Sequence, residues 1–410
     1  MAGSPLAIRD FRLFLGGRFC ANLAQQMLTV AIGYYLYDAT GDALVLGYAA
    51  LAIFIPGALL TLPAGDLADR FDRRHMLGVA HAMHTACAAL FLFLVLNKRT
   101  DVGYFYAVLV LSGVGRALAG PAVSSFAPFL VPREIFGQAV AWSTSTAQVA
   151  VMLGPALGGL VYLAGPWVPF AACCVVSPMV MVAMLSIRTR SAGGTPKEGT
   201  ALSRVVQGLR YLRRQPIVLG AITLDLFAVM LGSVTALLPV YARDILHVGP
   251  DGLGVMRSAI AVGAVATGLA LAHLPAPRQP HAGTAIFGGV AVFGAAAMVF
   301  GFSTSFALSI VALLVMGSGD MLSVFVRGTV VQLGTPAEMR GRVSSVHFLF
   351  VGAANEFGDF RAGMAAAWLG AVPAALAGGA CTLAIVALWT RLFPELRRIN
   401  RLADIGANRA

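Results

Sequence analysis

Gly65-Asp-Leu-Ala-Asp-Arg-Phe-Asp-Arg-Arg74 is the stretch on which the fold turns. These ten residues hold six charges, yet they sit between two long apolar runs, Leu44 to Ala64 and Met76 to Leu96. A charged hairpin this short between segments this apolar joins two membrane helices through a tight, ordered loop.

Composition reaches the same class independently. Hydrophobic residues make up 58% of the 410 and charged residues only 11%, far from the roughly 25% charged of soluble domains. Twelve spans of about 20–25 residues each consume most of this length, leaving no room for a sizeable soluble domain. The net charge of +11 is not gathered on one soluble patch, which argues against nucleic acid as a partner. The basic residues instead punctuate the ends of apolar segments, as membrane orientation requires. Cys20, Cys87, Cys173, Cys174 and Cys381 all fall inside apolar spans without metal-like spacing, so packing thiols are expected and no metal site. Arg9-Asp-Phe-Arg12 leads straight into a full-length span, so no cleavable signal is expected. The sequence has no P-loop and no nucleophile–histidine–acid set. Neither ATP-driven pumping nor enzymatic chemistry is expected, and no cofactor.

Apolar windows bounded by charge or Gly/Pro clusters predict twelve spans, near 12–37, 44–64, 75–96, 102–130, 138–164, 167–187, 216–242, 251–274, 282–302, 304–333, 342–368 and 371–393. The joints after the odd spans carry only Lys98, Arg99, Arg243 and Arg257, whereas the termini and the other joints carry 21 of the 29 Lys/Arg. The positive-inside bias predicts that both termini and the Asp69–Arg74 loop face the cytoplasm.

The segment Ser191-Ala-Gly-Gly-Thr-Pro-Lys-Glu-Gly-Thr200 is linker-like, since such residues pack no core. In Leu202 to Arg214, Leu202, Val205, Val206, Leu209 and Leu212 share one helical face, and Arg204, Arg210, Arg213 and Arg214 fall largely elsewhere. That pattern suits a short helix in the cytoplasmic interface, or one that merely orients the chain. The expected organisation is an N-terminal lobe over 1–188, a linker with this amphipathic helix over 189–215, and a C-terminal lobe over 216–410.

An internal repeat supports two lobes. At an offset of 204, Pro132-Arg-Glu-Ile-Phe-Gly137 overlies Pro336-Ala-Glu-Met-Arg-Gly341, Gly154 overlies Gly358, and Gly159 overlies Gly363. Nearer each half's start the offset is 207, with Leu46-Gly47 over Leu253-Gly254 and Ala52-Ile53 over Ala259-Ile260.

In span 5, Ala150-Val-Met-Leu-Gly154-Pro155-Ala-Leu-Gly158-Gly159 lays a side-chain-free strip along one face, which lets a neighbouring backbone approach closely. Pro155 removes one amide donor and bends the helix. A hinge and ordinary small-residue packing both fit this pattern. Charges embedded in the apolar windows stand out because each is costly there. By the repeat, Arg18 overlies Asp225, Arg116 overlies Asp320, and Val123 overlies Arg327. Glu356 and Asp359 follow at i, i+3 in span 11. Such groups are expected to pair, line water or titrate. His81 and His84, one turn apart in span 3, could titrate or simply bridge helices. Tyr34, Tyr35 and Tyr37 read as an interfacial belt.

The loop pattern G-x-L-A-D-R-x-x-R-R closely resembles the joint between helices 2 and 3 of the major facilitator superfamily, with Asp72 standing where that family prefers Gly. The span-5 strip resembles the superfamily's antiporter motif, with Ala150 in place of its first Gly. Arg116-Ala-Leu-Ala-Gly120 resembles part of a motif whose arginine is tied to proton coupling, with Ala119 as a departure. Gly65–Arg74, Pro121-Ala122 with Val131-Pro132, and Asn355-Glu-Phe-Gly-Asp-Phe-Arg-Ala-Gly363 with Gly370-Ala-Val-Pro373 resemble the bacterial branch of enterobactin-type siderophore exporters and macrolide efflux pumps. That branch often has Arg where this chain has Val123. Arg116, seven residues earlier, lies on nearly the same face.

The resemblance implies an all-α membrane protein of twelve helices in two pseudo-symmetric six-helix lobes, spans 1, 4, 7 and 10 lining a central cavity. It implies a loop motif (Gly65, Asp66, Asp69, Arg70, Arg73, Arg74) whose charges latch one state, where a solvated turn that only enforces orientation is the plainer alternative. It implies a hinge at Gly154, Pro155, Gly158 and Gly159. The expected function is proton-coupled export of a small amphipathic molecule, a siderophore or drug-like compound, by a monomer in the bacterial inner membrane. Asp320, with Glu356 or Asp359 as the alternative, is the expected proton-exchanging group, and Arg116 would keep it ionised when near. A static ion-pair network is the competing reading of these charges. Lipid, lysolipid or metabolite transport, and a non-transporting sensor or scaffold, are the alternative functions.

Overall fold

Each apolar window is helical along most of its described length in the structure, a computed structural model that describes residues 4–190, 201–273 and 282–399. The segment 191–200 expected as a linker, and Arg278, lie outside the described residues. Six long helices come first: α1 (Arg9–Thr40), α2 (Ala43–Arg70), α3 (Arg73–Leu96), α4 (Val102–Leu130), α5 (Phe136–Leu163) and α6 (Val168–Leu185). The short α7 (Ala201–Leu212) precedes α8 (Pro216–Gly232), which continues irregularly through α9 (Leu238–Val240). Then follow α10 (Pro250–His273), α11 (Ala282–Phe302), α12 (Phe306–Leu333), α13 (Ala337–Leu369), α14 (Ala371–Leu392) and the one-turn α15 (Pro394–Arg397).

Ten segments among the described residues are long and apolar enough to cross a membrane. The helices α1 and α13, at 32 and 33 residues, are long enough too, but their charges dilute the mean hydropathy. Tight turns stop the helices where the sequence supplies caps. Gly41, at φ 65°, closes α1 by donating its N–H to the Tyr37 carbonyl at 2.8 Å. Asp72 and Asp101 cap α3 and α4 by accepting from the backbone N–H groups of Arg74 and Gly103, both at 3.0 Å.

The chain divides into two compact units. The first comprises Met1–Gly41, Leu51–Ala201 and Val248–Ser258; the second comprises Asp42–Ala50, Leu202–His247 and Ala259–Ala410. Phe11, Phe14, Leu77, Phe126, Leu130 and Met184 fill one core of the first unit, with Phe14 and Phe126 edge to face at 5.9 Å. Leu224, Ile286, Val330, Trp389 and Leu396 help fill a core of the second. In lipid, packing rather than water release holds helices together, so close backbone approach matters more than greasiness.

Two features depart from the sequence expectation. Span 7, expected unbroken over 216–242, loses α-helical geometry after Gly232: Ser233 and Val234 interrupt it, and a 3-10 turn at Thr235–Leu237 resumes the chain. Hydropathy cannot register this, because the broken stretch is as apolar as its flanks. The second departure is α7, whose apolar side packs on protein. Leu212 is fully buried with Val218, Ile222, Val343 and Val346, and the Tyr211 hydroxyl donates to the Gly334 carbonyl at 3.3 Å. A Cβ at Gly208 would stand 2.6 Å from the Arg342 carbonyl, so α7 rests directly on the head of α13.

Candidate functional site

The loop charges of the first unit are built into it. Asp72 accepts from the Arg74 guanidinium at 2.7 Å, and Arg74 also donates to the Ile187 carbonyl at 2.8 Å, where α6 has just ended. Burial alone would push the Asp72 carboxyl up. The hydrogen bonds from the Arg74 side chain and backbone N–H, with the charges of Arg74 and His75, outweigh burial and hold it below the usual carboxylate range. The residue that departs from the family pattern thus acts as a cap and a clamp. Arg73 is buried, donates to the Ser125 hydroxyl at 3.1 Å, and lies 4.7 Å from the Phe129 ring centroid. Gly65 has open space where a Cβ would sit, and Asp66 is half-buried. The side chains of Asp69 and Arg70 lie outside the described residues.

The α5 strip is a surface of close approach. A Cβ on Gly154 would meet Gln26 Cβ at 2.5 Å and the Leu23 carbonyl at 3.2 Å; one on Gly158 would meet Met27 Cα at 2.8 Å. Gly159 faces the head of α10, where a Cβ would stand 3.0 Å from Asp251 Cα. In the same patch, a Cβ on Gly254 would stand 2.5 Å from the Pro155 carbonyl, and Ala156 N–H donates to the Ser258 hydroxyl at 3.1 Å. No side chain larger than hydrogen fits these places without movement.

The embedded charges divide by unit. In the first, Arg18 of α1 donates to the buried Ser143 hydroxyl of α5. Arg116 of α4 lies near His84, whose Nε2 is buried and makes no hydrogen bond with a described residue. The rings of His81 and His84 are 5.8 Å apart. In the second unit, Asp225 of α8 forms an ion pair with Arg327 of α12, their side chains 7% and 4% exposed. Such burial at membrane depth is tolerable because each charge satisfies the other. Asp320, two turns earlier on α12, has no hydrogen bond or ion pair among the described residues. Asp359 accepts from the Ser233 hydroxyl at 2.9 Å, and Glu356 is half-buried on the same helix.

Sequence reasoning passed over Arg361, one of the most engaged groups in the second unit. Its Nε donates to the Met230 carbonyl at 3.2 Å and its Nη2 to the Ser233 carbonyl at 3.0 Å, the carbonyls freed where span 7 breaks. From α14, Thr382 donates to the Ala228 carbonyl at 3.2 Å. An arginine inside an apolar window was signal enough to find it.

Twelve long helices among the described residues, with glycine-paved contacts and embedded charges, define a multi-pass membrane transporter of the major facilitator fold. Solved structures support the fold. The chain superposes on the nucleoside transporter NupG with a TM-score of 0.75 at 11% identity, over 94% of this chain and 100% of that one. A bacterial homologue of the human lysosomal transporter Spinster gives 0.71 at 14% identity, over 95% and 98%. The chain matches the transmembrane secretion effector family over residues 2–409, and it belongs to that family of membrane transporters, not to an enzyme family. Among curated relatives, the enterobactin exporter EntS of Shigella boydii is 25% identical over 401 residues, 95% of this chain and 93% of the exporter. Macrolide efflux protein A of Streptococcus pyogenes is 25% identical over 272 residues, 64% of this chain and 65% of that protein's length.

Proposed function

We propose that this protein is a proton-coupled exporter of a small amphipathic molecule, a siderophore or drug-like compound, working by alternating access in the bacterial inner membrane with both termini cytoplasmic. The observation that carries the reading is similarity to an enterobactin exporter along nearly the whole chain. The efflux relative, matched over part of its length, favours the same direction of transport. For coupling, a contrast among three acids in the second unit supports the assignment. Asp225 is neutralised by Arg327 and Asp359 holds a hydroxyl, whereas Asp320 has no partner among the described residues. An unpartnered carboxyl at this depth is the group best placed to take up and release a proton. Arg116 is its proposed modulator, and the α5 glycines are the proposed hinge.

The test uses everted membrane vesicles with an acid interior, and two probes, a radiolabelled macrolide and radiolabelled enterobactin. Pumping of either probe into vesicles under the proton gradient supports the reading. Asp320→Asn should abolish gradient-driven uptake while probe binding persists. Gradient-dependent uptake unchanged in Asp320→Asn removes that residue from coupling, and no flux of either probe removes the substrate class. Orientation is tested separately: Asp42→Cys should react with an impermeant thiol reagent from outside intact cells, and Thr195→Cys should not.

A further inference from the structure

Three basic residues at the ends of first-unit helices are engaged within that unit. Arg73 is buried on Ser125, Arg74 is clamped by Asp72 and Ile187, and Arg9 meets Asp10 at 3.6 Å and the Ser186 carbonyl at 3.4 Å. One corner of the second unit gathers six arginines. Arg210, Arg213 and Arg214, at and just after the end of α7, are all exposed, as are Arg391 near the end of α14 and Arg397 and Arg398 at α15. None of these six side chains has a hydrogen bond, ion pair or ring partner among the described residues.

Two distant segments build this corner around the head of α8. Leu212, fully buried, packs with Val218 and Ile222 on one side. On the other, Leu396 is buried against Ala221, and a Cβ at Gly220 would stand 2.7 Å from the Phe393 ring. The N–H of Gly283 donates to the Ile399 carbonyl at 2.9 Å, tying the tail of α15 to the head of α11. The backbone that carries the arginines on either side is therefore anchored by packed neighbours. Glu395 is the one acid among the described residues of these two segments.

Crowding like charges at i, i+3 and i+4 costs stability unless an anion is present. Docking through Leu212 leaves Val206 of α7 exposed along with Arg210, and Leu392 of α14 is exposed next to Arg391 in the chain. Guanidinium groups beside exposed apolar side chains at the end of membrane helices match a phospholipid in both its parts: phosphate for the arginines, acyl chain for Val206 and Leu392. We propose that this corner, formed by α7, the head of α8 and α15, binds the headgroups of anionic phospholipids.

The experiment is native mass spectrometry of the purified full-length protein, titrated with phosphatidylglycerol or phosphatidylcholine of the same chains. Wild type should retain phosphatidylglycerol preferentially, in a salt-sensitive way. At roughly fivefold in affinity per arginine near an anionic headgroup, the combined variant Arg213→Gln/Arg214→Gln/Arg397→Gln/Arg398→Gln should lose at least tenfold. The same four positions changed to Lys should keep most of the preference. Should the combined variant fail to insert, Arg213→Gln and Arg397→Gln singly should each reduce retention severalfold. Equal retention of the two lipids by wild type, or undiminished preference in the Gln variants, overturns the proposal. Displacement of the lipid by equimolar inorganic phosphate would overturn it in favour of a free-anion site. None of these readouts depends on transport, so they stand or fall apart from the export reading.

Discussion

The two units place their glycines at the same contacts and their charges at different ones. Gly154 of α5 backs onto Leu23 and Gln26 of α1; Gly358 of α13 backs onto Met230 and Ser233 of span 7. Those partners are related by the same offsets, 204 and 207, that align the halves of the sequence. Gly159 meets the head of α10 beside Gly254, and Gly363 meets the head of α2, where a Cβ would stand 3.0 Å from the Gly47 backbone nitrogen. Close packing is thus repeated. Electrostatics is not: embedded arginine in the first unit leans on a neutral serine, while the second holds a buried ion pair, an unpartnered acid and an arginine on freed carbonyls. What is repeated is close helix packing, and the partners of the embedded charges are not repeated with it.

The largest expected effect comes from breaking the buried pair. Asp225→Asn leaves the Arg327 charge uncompensated at 4% exposure, which should cost about 3–5 kcal/mol and strip the protein from the membrane fraction. The double variant Asp225→Asn/Arg327→Gln should recover much of that loss, because a neutral pair leaves no buried charge. Asp320→Asn, by contrast, should leave abundance near wild type, since no partner is orphaned. Abundance and thermal midpoint in detergent check all three. Equal destabilisation by Asp225→Asn and Asp320→Asn would erase the distinction between a structural and a working acid.

This division marks how far the sequence could be read. Span positions and the glycine repeat are legible because hydropathy and spacing are one-dimensional signals. The offset that aligned Gly47 with Gly254 and Gly159 with Gly363 finds these residues at equivalent contacts. Partner choice is not one-dimensional. Arg18 overlies Asp225 in the repeat, yet its hydroxyl partner, Ser143, lies 125 residues away, and Asp225 turns to Arg327. Likewise, Asp72 looked like a lapse from a glycine consensus, whereas its short carboxylate is what caps α3.

Next in size is the glycine strip. Gly158→Leu should leave insertion intact and abolish transport, because even a Cβ there would stand 2.8 Å from Met27 Cα, which is backbone and cannot swing aside. Gly358→Leu, against Met230 Cα at 3.4 Å and the Val229 carbonyl at 3.0 Å, should do the same if the repeated contacts are repeated in function. Probe efflux normalised to protein abundance is the measurement. Wild-type efflux by a well-inserted Gly158→Leu would reduce the strip to incidental packing.

A smaller effect should follow at a backbone difference between two equivalent spans. α1 runs unbroken past Gln26, whereas span 7 breaks at Ser233. By the repeat, Leu157 stands where the second unit has Arg361. Arg361→Leu removes the charged donor to the Met230 and Ser233 carbonyls, a loss confined to the break itself. Hydrogen exchange should rise in peptides covering 229–237 and stay unchanged over 20–30. Unchanged protection around Ser233 would mean that Thr382 and Asp359 hold the break without Arg361.

The smallest effect, and the one with a pH signature, concerns the loop of the first unit. Asp72 accepts from Arg74 at 2.7 Å with side chains 21% and 14% exposed, and it caps α3 as well. Loss of a cap and a part-buried pair together should cost about 1–2 kcal/mol, so Asp72→Asn should lower the thermal midpoint by a few degrees near neutral pH. The native carboxyl is held below its usual range. Its contribution is therefore fully present above the unfolded carboxylate value of about 3.9 and is lost only as pH falls through the depressed native value. The difference between wild type and Asp72→Asn should accordingly stay constant from pH 8 to 5 and shrink below about 4. A difference that instead vanished as pH rose would assign it to a group other than this carboxylate.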